Sequence, residues 1–328
     1  MSEGDCGSSL RSRIGRGEIA LAVVSVVVAL AAGELATRVL RLAEPRPTGY
    51  APVPTGRRSG PPMNSRGYRD RERALEKAPD VHRLLCLGDT FAWGVGVHFD
   101  DALPQRLERA LTRRRRQTWE VVNLALPGLG TVDHAAQLQG EGFAYQPDAV
   151  LLAFVLNDAE SRERMVARER EFAARAAAPP SPLGRFALYR FVAGRLEASQ
   201  EARRRVAYHH GLYDEGTPDW VGCQKALREM GGACRERGVP LIVAIFPLFG
   251  NPLDAGYPFT DIHARVAAAA TEAGADAVDL LPDYRGLRWE LLVVDGVSDE
   301  HPNEIAHRIA ADRLRFALDA AIPHETRP

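Results

Sequence analysis

Beyond residue 80 the chain alternates short, densely apolar runs with longer stretches whose apolar residues recur at helical spacing. The runs Arg83–Leu87, Trp119–Asn123, Asp148–Val155, Pro240–Phe246 and Ala275–Leu280 are short and rich in Val, Leu and Ile, and read as buried strands. Between them, Leu103–Arg115, Val132–Glu141, Trp220–Arg237, Asp261–Ala273 and Asn303–Ala320 read as amphipathic helices. Strands alternating with helices predict βαβ units, a parallel sheet and a doubly wound α/β domain. Two regions interrupt the pattern. Glu44–Pro79 is rich in Pro, Gly and Arg without apolar periodicity, and reads as a linker wrapping onto the domain. Asp158–Thr217 is an insertion, Arg/Glu-rich to Arg175, with a second helical stretch near Phe186–Arg205. An insertion after a strand's carboxyl end forms either a wall over the site or an exposed helical hairpin. No internal repeat is present.

The N-terminus follows a different rule. Arg11, Arg13 and Arg16 precede an unbroken apolar run from Ile19 to Gly33, and continuing to Leu40 gives about 22 residues, or about 33 Å of helix. That is enough to span a bilayer. Glu34 and Arg38 stand one turn apart in its last turns, where they can pair. The expected division is a cytoplasmic tail (1–17), a transmembrane signal anchor (18–40), a linker (41–80) and an extracytoplasmic domain (81–322) carrying the insertion 159–217. A cleaved signal peptide with Ala29-Leu30-Ala31 at its cleavage site is the rival. A buried soluble helix is the third reading.

Composition adds exclusions. The formal net charge of −1 gives no reason to expect nucleic acid as a partner. Arg113–Arg116 ends a helix, where cations complement the dipole and face water. The four cysteines do not form a disulfide framework, since Cys86 falls within a strand and Cys223 and Cys234 lie about three turns apart on one helix. No Cys or His pair has zinc-like spacing, so no metal site is expected.

The chemistry collects at strand ends. Leu84–Leu87 runs into Gly88-Asp89-Thr90, which places a hydroxyl where open α/β sheets bind ligands. The second strand is followed by Asn123 to Thr131, with Gly128 and Gly130; the third by Leu156-Asn157-Asp158; and Asp299-Glu300-His301-Pro302-Asn303 opens the last helix. Acyl transfer needs a nucleophile, a base, a group orienting the base and donors for an oxyanion. Thr90, His301, Asp299 and the pair Gly128/Asn157 supply one of each, and the Thr90 N–H adds a third donor. Asp89 and Asp158 are supporting residues, the first tying its turn to backbone N–H groups and the second capping the following helix. Pro302 and Asn303 fit a helix start, His307 a helix face, and His209-His210 an exposed surface.

These four blocks resemble those of the SGNH/GDSL hydrolases from about Asn64 to Ile309. The lead-in Asn64–Glu72 and the segment Glu34–Arg38 are similar to the membrane-anchored bacterial branch of that family. The resemblance implies a flavodoxin-like three-layer α/β/α sandwich with a five-stranded parallel sheet. It further implies hydrolysis of acyl esters of lipids, carbohydrates or small molecules without a cofactor, with His301 as general base and Gly128 and Asn157 as oxyanion donors. Two departures stand out. The family's nucleophile is serine and here it is Thr90, whose methyl stiffens χ1 on a tight turn. Many members place the acid three residues before the histidine, where this chain has Ser298; Asp299 takes that role, with Asp295 a distant second. An O-acyltransferase using the same site, or a fold retained for binding without turnover, are the alternative functions.

Overall fold

The computed structural model describes residues 16–44, 63–115, 118–177, 181–295 and 299–322. All but the last two residues of the expected tail, residues 45–62 of the linker and Ser298 lie outside the described residues. The described chain divides into two compact units, one drawing on residues 16–44 and 181–202 and the other on the remainder.

The larger unit is built on a five-stranded sheet. Its strands are β1 (Val81–Gly88), β2 (Thr118–Asn123), β3 (Ala149–Phe154), β4 (Leu241–Ile245) and β5 (Asp276–Asp279). They lie in the order β2-β1-β3-β4-β5, every neighbour parallel. This is the flavodoxin-like order, and its switch point falls between β1 and β3. All residues of β3 and β4 are buried, as strands covered by helices on both faces must be. The helices are α2 (Thr90–Trp93), α3 (Leu103–Arg115), α4 (Thr131–Gly140), α5 (Arg162–Ala176), α7 (Pro218–Glu236), α8 (Thr260–Glu272), α9 (Leu281–Tyr284) and α10 (Glu304–Ala321). The insertion helix α6 (Ala187–Leu212) contributes its C-terminal turns. At the end of α3, Arg113 and Arg114 are exposed, and Arg114 pairs with Asp319 of α10 at 2.7 Å.

One element escapes the periodicity. Val293–Asp295 (β6) and Asp299–Pro302 (β7) pair antiparallel outside the main sheet. His301 therefore sits on a strand and does not open the last helix. That helix begins one residue after Asn303, whose side chain caps it by accepting from Ile305 N–H at 3.0 Å and Ala306 N–H at 3.2 Å. Three- and four-residue strands are too short to show a period of two.

The smaller unit contains the apolar helix α1 (Arg16–Val39) and the start of α6. Within α1, Gly17–Val39 gives 23 residues, long and apolar enough to cross a membrane, and its apolar stretch is exposed throughout. Glu34 and Arg38 pair at 2.7 Å.

Candidate active site

The switch point sets the geometry. β1 ends at Gly88, where φ is +154° and a Cβ would stand 2.8 Å from Ala92 Cβ and 3.0 Å from Ala153 O, so only glycine allows the turn. Asp89 then caps α2, its Oδ1 accepting from Phe91 N–H at 2.9 Å. Its Oδ2 accepts from the Thr90 hydroxyl at 3.2 Å and from the Asn157 side-chain amide at 3.4 Å. One buried carboxylate thus gathers groups from the ends of β1 and β3. Burial pushes its pKa up, opposed by these hydrogen bonds and by nearby His301.

The Gly128 segment is tied to the same place through Asp158. The Asp158 carbonyl accepts from Thr131 N–H at 2.7 Å and from the Thr131 hydroxyl at 2.8 Å. Gly128 itself is exposed with φ +79°, in a conformation that leaves its surroundings open for a ligand. Contrary to the expectation from its position, the Asp158 carboxylate does not cap the following helix. It turns back to accept from Val155 N–H at 3.0 Å, and Ser161 takes the capping position, accepting from Arg164 N–H at 3.4 Å. Burial first, then Asp89, push Asp158 well above the ordinary carboxylate range.

His301 arrives from the β6–β7 hairpin. Its half-buried imidazole meets the Phe91 ring edge-on, centroids 5.9 Å apart, one residue from Thr90. The hairpin is fixed from behind by Asn303, whose Nδ2 donates to Leu291 O at 2.9 Å and Val293 O at 3.1 Å. Gly96, just past α2, lies flat against Val294 of β6: a Cβ there would come within 2.6 Å of both valine methyls. Asp299 stands on β7 two residues before His301, and Asp295 on β6. The structure thus assembles the Asp89-Thr90 turn, Asn157 and His301 in one neighbourhood, with the Gly128 loop tethered beside Asn157.

Three supporting residues gave no signal as such in the sequence. Arg69, in the lead-in, is buried and donates to the carbonyls of Trp93 at 2.9 Å, Gly94 at 2.6 Å and Val97 at 2.8 Å, with its guanidinium 4.8 Å above the Trp93 ring. It holds the loop that follows Thr90. Beside it, Asp70 Oδ2 accepts from Asn123 N–H at 3.0 Å, joining the lead-in to the end of β2. Arg205 of α6 grips both oxygens of Glu300, next to His301, at 2.8 and 2.7 Å, and reaches Gly250 O at 3.3 Å. The insertion therefore contacts the strand bearing His301. Three histidines also differ from expectation: His307 is buried, His209 is buried with Nδ1 2.8 Å from Arg205 O, and His210 is half-buried with Nε2 3.1 Å from Pro258 O. Among the described residues no group of three or more His, Cys, Asp or Glu side chains is arranged to hold a metal ion.

The sequence model of the GDSL-like Lipase/Acylhydrolase family matches residues 86–309, from within β1 into α10. The chain belongs to this SGNH/GDSL family of esterase-like hydrolases. Among solved structures it is similar to TesA, at 17% identity over 73% of this chain and 99% of that one, with a TM-score of 0.44. It is also similar to a variant of Axe2, a Geobacillus acetyl-xylooligosaccharide esterase, at 17% identity over 74% and 95% of the two chains and a TM-score of 0.45. A GDSL-like lipase from Parabacteroides merdae shares 11% identity over 76% and 99% of the chains, with a TM-score of 0.46. No curated protein matches the chain.

Proposed function

We propose that this chain is a membrane-anchored ester hydrolase working through an acyl-enzyme, with Thr90 as nucleophile, His301 as general base and Asp299 orienting the imidazole. Gly128 N–H, the Asn157 amide and Thr90 N–H are the oxyanion donors. In the first half-reaction Thr90 Oγ bonds to the ester carbonyl carbon while its proton passes to His301. The acyl–oxygen bond to the leaving alcohol then breaks, and His301 returns the proton to that alcohol. Water next attacks the acyl-threonine with His301 again as base, releasing the carboxylic acid and restoring the hydroxyl. The substrate class is an acyl ester of a lipid, carbohydrate or small molecule. Helix α1 anchors the chain, with the larger unit outside the cytoplasm.

The observation that carries this reading is the single carboxylate of Asp89, which brings the Thr90 hydroxyl and the Asn157 amide to one oxygen while Phe91 brings His301 alongside. A second reading, a binding protein without turnover, draws on the same bond. The Thr90 hydroxyl donates to Asp89, and a β-branched side chain turns only by moving its methyl through a tight turn.

Hydrolysis of short-chain aryl esters by the full chain in detergent separates the two. Activity abolished by His301→Ala and by Thr90→Ala, and raised about 10–100-fold by Thr90→Ser through better alignment, supports the enzyme. A natural chain no faster than His301→Ala, with activity appearing only in Thr90→Ser, establishes the binding protein instead.

A further inference from the structure

The smaller unit carries an unpartnered surface. In the last turns of α1, the Glu34 carboxylate accepts from Ala187 N–H at 2.9 Å and Leu188 N–H at 2.7 Å, capping the start of α6. Leu188 Cδ2 packs over Gly33, where a Cβ would stand 3.1 Å away, and Thr37 is buried at the same contact level. The end of α1 and the start of α6 are thereby locked together.

From this joint outward, large apolar side chains face solvent. Leu183, Phe186, Tyr189, Val192 and Leu196 are 49, 40, 36, 47 and 59% exposed. Tyr189, Val192 and Leu196, three and four residues apart, lie along one stripe of α6, and Leu183 and Phe186 continue the exposed apolar surface in the turn that leads into it. Arg185, Arg190 and Arg195 are interleaved with them, and Arg185 and Arg195 each lie 4.9 Å over a phenylalanine ring, of Phe186 and Phe191. Aromatic and aliphatic residues on one side with arginines beside them are the profile of a helix lying in a membrane surface.

Helix α1 decides what covers the stripe. Its 23-residue span is about 34 Å long against a hydrocarbon core of about 30 Å, so Gly33–Thr37, within its last two turns, fall at the level of the headgroups. Whatever is locked to those residues is delivered to that level. We infer that residues 183–196 lie in the bilayer surface, the apolar stripe at the headgroup–acyl boundary and the arginines on lipid phosphodiester groups. The inference rests on reading α1 as an anchor.

The test uses the full chain with Cys6→Ser, the other cysteines being buried, reconstituted in phosphatidylcholine/phosphatidylglycerol vesicles. An environment-sensitive fluorophore is attached at Val192→Cys, and in a second sample at Gly194→Cys, an exposed position on the other side of the helix. The expected result is blue-shifted emission at 192, quenched by brominated lipids at a depth of about 5–10 Å, with neither effect at 194. Equal solvent exposure at both positions, in protein that resists alkaline carbonate extraction, overturns the inference while leaving the anchor intact. Shielding at 192 that grows with the protein-to-lipid ratio also overturns it, because a second copy is then the occupant. Release of the protein by carbonate overturns the anchor reading and the inference with it.

Discussion

Replacing Arg69 by methionine keeps the length of the buried stem and removes every donor from its end. Three carbonyls, those of Trp93, Gly94 and Val97, lose the partner they hold at 2.6–2.9 Å. Hydrogen bonds from a charged donor contribute about 1.5–3 kcal/mol each, an upper sum of about 4.5–9 kcal/mol. Two effects reduce it. The guanidinium is buried without a carboxylate partner among the described residues, and that burial, which pulls its pKa down, is itself a cost that methionine removes. The Trp93 carbonyl also belongs to a residue that is only half-buried, so water can replace that partner in part. The net loss expected for Arg69→Met is about 3–4 kcal/mol, with Arg69→Lys near half of that because an ammonium satisfies one carbonyl well. Thermal unfolding of the full chain in detergent, followed by near-ultraviolet circular dichroism, should show the melting temperature fall by about 6–16 °C for methionine. If the chain is the ester hydrolase proposed above, its activity should drop well below the melting range, since the loosened loop is the one leaving Thr90. A methionine variant within about 1 kcal/mol of the natural chain, or a lysine variant less stable than methionine, would refute the reasoning.

Asn303→Ala removes a cap and two donations to Leu291 and Val293 from a residue 1% exposed, for an expected loss of about 2–4 kcal/mol, whereas Asn303→Ser restores the cap and recovers about 1 kcal/mol of it; urea unfolding of the three proteins checks the order. His134 is fully buried without a hydrogen-bond partner among the described residues, and burial holds its pKa down to about 4. The unfolded chain binds a proton there below about 6.5 that the folded chain refuses, so stability is lost as pH falls from about 6.5 to 4, by up to about 1.4 kcal/mol per pH unit. His209, held to about 4, and His307, held to about 3, add to the same window. Denaturant melts across that range should be flatter in His134→Leu, and an unchanged slope counts against a neutral buried imidazole.

The main sheet was legible because its central strands β3 and β4 are continuous apolar runs, a composition that burial on both faces demands, and β1 and β2 end in such runs. The positions of Thr90 and Asn157 followed from the same logic, since residues at the carboxyl ends of β1 and β3 flank the switch point whatever the side chains around them. The hairpin of His301 was not legible. Its strands are too short for a period, and what defines them is tertiary: Asn303 bonding back to Leu291 and Val293, and Gly96 pressed on Val294. Arg69 and Arg205 were invisible as individuals for a related reason. A buried arginine that binds carbonyls, and one whose carboxylate partner lies 95 residues away, look in a sequence like any other arginine in a chain holding so many. Asp158 shows the reverse error: an Asp shortly before a helical pattern fits a cap, but the helix starts only at Arg162, and the backbone N–H of Val155 claims the Asp158 oxygen instead.

The flat contact between Gly96 and Val294 couples the two halves of the site in a way that the sheet does not share. A methyl group added at position 96 has nowhere to go except into the hairpin, and the strands of the main sheet lie elsewhere and would not register the push. On the proposed reading, a single small enlargement at position 96, where φ is +75°, separates hydroxyl from imidazole while the main sheet stays intact. A lineage drifting from hydrolysis toward recognition would have to disturb only the small cluster of Val97, Ala102 and Val294 to get there.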